Sequence, residues 1–169
     1  MSTTIAIDTN LLLVVLADEQ LRRRNTAGPA RLSSLRDVWG QPGGVQPERF
    51  QDLRTVVLQA NHRIVTQHVI AEVYNLCDRF SVLRDLNTVT DLLAGLGLSE
   101  HPCSFADLMN RDDYRKILGD VGVTDAGLIY VAEGKKAVIL SENHRDLWRC
   151  AHARSVQCYD LRSVDYLLR

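Results

Sequence analysis

The chain has 169 residues, of which 46% are hydrophobic and 24% charged, and its 20 basic and 21 acidic side chains leave a net charge of −1. That length predicts one domain over 1–169 with a core of its own. The near-neutral balance excludes a polyanion binder that works by bulk charge. The longest apolar run, residues 11–17, is far too short to span a bilayer, and no basic stretch leads into a long apolar core as an export signal requires. The expected setting is therefore cytoplasmic, without membrane contact. The four cysteines (Cys77, Cys103, Cys150 and Cys158) form no CxxC pair and are expected to be reduced and mostly buried.

In chain order, residues 5–7 read as a buried strand, Asp8 ends it, and the run 11–17 is the helix that leaves it. Residues 18–48 change character, with charged and small residues followed by Gly40, Pro42, Gly43, Gly44 and Pro47. They read as a loop-rich insertion or flap holding a short helix around residues 30–39. Five arginines (Arg22, Arg23, Arg24, Arg31 and Arg36) fall within 21–36 with no acid among them. Arginine is a good bidentate partner for phosphate, so Arg22, Arg23 and Arg24 are candidate phosphate contacts; a solvated loop or a partner-protein surface is the plainer reading of the same cluster.

Apolar spacing predicts a helix over 48–60, a β-branched strand over 64–66, a helix from Gln67 and another over 82–96. Residues 99–104 read as a connector. One or two short helices cover 105–118, broken near Arg111. A turn at 119–122 precedes a helix from Thr124 to Glu133. Residues 137–140 form a clear buried strand, followed by a turn over 141–144 and a helix over 146–153. A last strand over 156–159 and a final helix over 161–168 close the chain. Short apolar strands alternating with helices predict an α/β fold, a three-layer α/β/α sandwich around a central parallel sheet.

Three acids share a setting. Asp8 ends the first strand, Glu72 lies about one turn into the helix after the second, and Asp125 stands in the first turn of the helix before the third. In an open parallel sheet, ligands bind beyond the carboxyl ends of the strands. Each acid also has a plain role: Asp8 and Asp125 suit helix starts, and Glu72 would fit an exposed stripe with His68 and Asn75. Carboxylates that converge repel one another unless a cation is present. A hard divalent ion with oxygen ligands, Mg2+ or Mn2+, meets that need. His68 and His144 fall near the same end and are candidate phosphate contacts.

The blocks Ala6-Ile7-Asp8-Thr9-Asn10, Val69-Ile70-Ala71-Glu72-Val73 and Val123-Thr124-Asp125-Ala126, followed by Val138-Ile139-Leu140-Ser141, resemble the PIN-domain nucleases, many of whose bacterial members are VapC-type toxins of toxin–antitoxin pairs. The resemblance runs in block order from Thr4 to about Leu161. It implies an endoribonuclease that hydrolyses RNA phosphodiester bonds with Mg2+ or Mn2+ held by Asp8, Glu72 and Asp125, with Thr9 or Asn10 in support. It also implies a homodimer and a cognate antitoxin partner. The family's further acid, two residues after a Ser or Thr that closes the third strand, is replaced: Ser141 is present, but the position holds Asn143. Glu142 and Asp146 are possible substitutes. Asn143 keeps open the alternative of a catalytically weakened module that binds RNA or protein. A dehalogenase-type phosphatase is disfavoured, because the second aspartate it needs two residues after Asp8 is Asn10.

Overall fold

The computed structural model describes residues 3–39, 47–143 and 145–168. Five strands, β1 (Thr4–Ile7), β2 (His62–Thr66), β3 (Ser99–His101), β4 (Val138–Leu140) and β5 (Cys158–Tyr159), form one sheet in the order β3-β2-β1-β4-β5. Every pairing is parallel. The expected α/β fold with a central parallel sheet flanked by helices is present. The central strands are fully apolar at their cores: Ile5, Ala6, Ile7, Ile64, Val65, Ile139 and Leu140 are all buried, as a sheet covered on both faces requires.

The helices are α1 (Thr9–Arg23), α2 (Gly28–Trp39), α3 (Pro47–Gln59), α4 (Gln67–Leu76), α5 (Leu86–Gly95), α6 (Phe105–Met109), α7 (Asp112–Lys135) and α8 (Asp146–Ala153). Right-handed crossovers between parallel strands put α1 to α5 on one face and α6 to α8 on the other. The packing agrees: α1 touches α2, α3, α4 and α5, and α7 touches α6 and α8. Among the described residues, no helix is long and apolar enough to cross a membrane. All four cysteines are free and buried.

Three expectations need correction. The segment 99–104 contains a strand: Ser99–His101 pairs with β2, Ile64 opposite Ser99 and Thr66 opposite His101. An edge strand half open to water carries no apolar run, so nothing in Ser-Glu-His announces it. Second, the described part of 18–48 is mostly helical, with a turn over 24–27 between two helices. α1 continues to Arg23, and α2 matches the short helix expected near 30–39; residues 40–46 lie outside the described residues. Leu11 to Ala17 are buried all round the helix, and an apolar helix of that kind needs neighbours on every side. The α2–α3 segment supplies them with Leu35, Val38, Trp39, Phe50, Leu53 and Val57, so it is a structural cover for α1. Third, the chain after β5 ends in a 3-10 turn, Val164–Leu168, that packs against α3.

The cover is also held by charge. Asp18, on α1, is buried, with 2% of its side chain exposed; Arg22 pairs with it at 3.0 Å and Arg54 reaches it at 3.9 Å. Arg31 from α2 closes the group with both its Nε and Nη2 on Asp18 Oδ1. The arginine cluster thus has its acid one turn before Arg22, on the preceding helical face.

Candidate functional site

β1 and β4 are neighbours, but the chain leaves them in opposite directions: β1 leads to β2 on one side and β4 to β5 on the other. A crevice forms at such a point because the two following helices start on opposite faces of the sheet. Asp8 follows β1 and Ser141 follows β4. The Asp8 N–H continues the ladder to the Leu140 carbonyl at 2.9 Å.

Asp8 caps α1 and faces the crevice at once. Its backbone is extended (φ −74°, ψ 155°) and its Oδ1 accepts the Thr9 N–H at 2.6 Å. Its Oδ2 accepts the Ser141 hydroxyl at 2.8 Å. Only 4% of Asp8 is exposed. Burial raises its carboxyl to about 6; the bonds from Ser141 and Thr9 pull the other way, and the nearby Glu72 charge adds to the rise.

Glu72 is half-buried on α4, whose N-terminus is fixed by Thr66: the Val69 N–H donates to its hydroxyl at 3.3 Å. Thr9 donates its own hydroxyl to Glu72 Oε2 at 2.7 Å, which ties the α1 start to α4. Asp125 is brought in by a break in α7. Gly122 has φ 82° and ψ 174° inside the helix, a backbone that side-chain-bearing residues rarely adopt. The expected turn at 119–122 is therefore this kink, and it puts Asp125 in the first turn after it. Asp125 is held up at about 7 by burial first, then by the Asp8 charge, with Glu72 and Asp146 adding and the bond from Asn143 opposing.

Asp8, Thr9, Asn10, Glu72, Asp125 and Asn143, with the Gly122 kink, line one cavity of about 220 Å³. A larger cavity of about 360 Å³, with His101, Arg111, Tyr130 and Lys135 in its wall, lies away from these acids, so size and chemistry point to different places. Mutual perturbation of carboxylates in a crevice marks a functional site better than volume does.

The other expected residues are placed as follows. Asn143 donates to Asp125 Oδ2 at 2.9 Å. Glu142 is turned to the C-terminal segment, accepting the Leu161 N–H at 2.6 Å. Asp146 is near enough to act on the Asp125 charge but is not in the cavity wall; it lies 3.6 Å from Arg149. The ring of His68 bonds the Cys103 carbonyl at 3.0 Å, away from the cavity. His144 lies outside the described residues. Arg22 is engaged by Asp18 and by Gln51 at 2.5 Å, while Arg23 and Arg24 are exposed. All three sit at the far end of α1 from Asp8, about 20 Å along the helix axis.

Among the described residues, no group of three or more His, Cys, Asp and Glu side chains is drawn tightly enough together to hold a metal ion. The carboxylates instead hold protein donors: Asp8 holds Thr9 and Ser141, Glu72 holds Thr9, and Asp125 holds Asn143. The Gly122 kink and its flanking Val121 and Val123, which also line the cavity, are the wall residues that the acid pattern does not reveal. Their trace in the sequence is the turn expected at 119–122, which closes on a glycine three residues before Asp125.

Fold and cavity together define the class: an α/β protein with a five-stranded all-parallel sheet and an acidic crevice at its switch point. Compared with family models, curated proteins and solved structures, the chain finds no match in any of the three.

Proposed function

We propose that the protein is a metal-dependent endoribonuclease of the PIN-domain type, acting in the cytoplasm. The observation that carries this reading is that Asp8, Glu72 and Asp125, from three separate parts of the chain, line one cavity beyond the carboxyl ends of β1 and β4. The donor set is entirely oxygen, which suits Mg2+ or Mn2+. The raised Asp8 and Asp125 carboxyls register a cost of burial and mutual repulsion that a divalent cation would offset. To hold the ion, Asp8, Glu72 and Asp125 would have to draw together more closely than they do in this structure, with Thr9 and Asn10 beside it. Such an ion, when bound, polarises a phosphate oxygen and lowers the pKa of a water. Thr9 and Ser141 fix the Asp8 and Glu72 carboxylates, which would orient the attacking water, and one of them would take its proton. Exposed Arg23 and Arg24 lie where only a distal part of a bound strand could reach them.

The test is incubation of the purified chain with single-stranded and structured RNA, with and without manganese. Cleavage is expected only with the metal, and Asp8→Asn is expected to lower it at least about 100-fold. A folded Asp8→Asn protein that cleaves as the wild type does overturns the reading. A second reading, a module that binds RNA or protein without turnover, is favoured by Asn143 in place of a fourth acid and by the lack of a closed ligand group among the described residues. RNA retained by the wild type without cleavage would select it. A homodimer and a small inhibitory partner belong to the nuclease reading, and light scattering and co-purification test them.

A further inference from the structure

We propose that Asn143 is the positioning residue of this site, a neutral clasp that holds Asp125 toward the cavity where an acid would repel it. The proposal rests on the reading of the cavity as the functional centre. Asn143 joins the two halves of the crevice: Asp8 accepts from the Ser141 hydroxyl at 2.8 Å, that hydroxyl accepts the Asn143 N–H at 3.0 Å, and the Asn143 amide donates to Asp125 at 2.9 Å. On its other side, Asn143 Oδ1 accepts the Asp146 N–H at the start of α8 at 3.3 Å. An ionised carboxylate only accepts hydrogen bonds, so Asp8 and Asp125 can be linked only through donors. An amide supplies a donor to Asp125 and an acceptor to α8 together.

Two roles for Asn143 predict opposite outcomes for Asn143→Asp. Aspartate serves a helix start at least as well as asparagine, so a residue that only caps α8 tolerates the change. A residue that holds Asp125 does not: the donor is lost and a second carboxylate faces the first.

The experiment is a thermal-unfolding cycle on the full chain in a chelator at about pH 8.5, where both carboxylates are ionised, comparing wild type, Asn143→Asp, Asp125→Asn and the double exchange. Asn143→Asp is expected to lose roughly 4 to 8 °C against the wild type. It should lose little against Asp125→Asn, where the exchanged amide can donate to the introduced carboxylate. An equal shift in both backgrounds, or no loss in the first, overturns the proposal. If the single variant does not fold, recovery of folding in the double exchange is the supporting result and its absence the overturning one. Manganese, added afterwards, should raise the midpoint of Asn143→Asp more than that of the wild type. Manganese that moves neither overturns the cation reading of the cavity, while the metal-free cycle still decides Asn143.

Discussion

Asp8 has two roles that one carboxylate can fill together. One oxygen satisfies the α1 start and the other takes the Ser141 hydroxyl, so capping is no alternative to membership of the site. The arrangement weakens the fold without a cation. In the unfolded chain this aspartate titrates near 3.8, and in the fold near 6. Between those values the folded protein keeps a proton that the unfolded chain has released. Stability contributed by this group is therefore full below about pH 4 and is lost as pH rises through about 6, and Asp125 extends the same trend to about 7. Asp8→Asn removes the buried charge. Relative to the wild type, it should be up to about 3 kcal/mol more favourable to the metal-free protein near pH 8 than near pH 4, while the bond that the single amide oxygen cannot accept is lost at both. Urea unfolding in a chelator at the two pH values measures this. A stability difference from wild type that is the same at the two pH values would show that Asp8 is held in the fold at its ordinary acidity.

At the scale of elements, two devices aim the site and brace it. The first is the kink in α7. Nothing lies within 4 Å of where a Cβ would stand on Gly122, so its glycine is needed for conformation and not for room. Gly122→Ala should cost about 1 to 3 kcal/mol and turn Asp125 away from Asp8, visible as a lower unfolding midpoint together with weaker manganese binding. The second is Asp18 with its arginines from α1, α2 and α3. Breaking a buried ion pair costs roughly 3 to 5 kcal/mol. The three arginines keep between 22% and 32% of their side chains exposed and can partly rehydrate, so Asp18→Ala should cost about 2 to 4 kcal/mol. Denaturant unfolding checks it, and the expected structural effect is loosening of the α2–α3 cover. α1 would then expose an apolar side, and ANS fluorescence should report that before global unfolding.

For the whole molecule, the alternation of elements, the apolar central strands, the break in α7 and the three acids at the ends of their elements are legible in the residues alone. Those features are written locally: in runs of Ile, Val and Leu, in helical spacing, and in an acid at a strand end. Tertiary structure alone decided the strand order that sets β4 beside β1, and with it the meeting of Ser141 with Asp8 across 133 residues. It alone showed Ser99–His101 to be a strand, because an exposed edge needs backbone pairing and no apolar side chains. Asp18 could be matched to Arg31 and Arg54 only once α2 and α3 were folded over α1. It also decided that Glu142 turns away while Asn143 turns in. Side-chain direction in a loop depends on which groups the rest of the fold brings within hydrogen-bonding reach, and the sequence of the loop does not contain them.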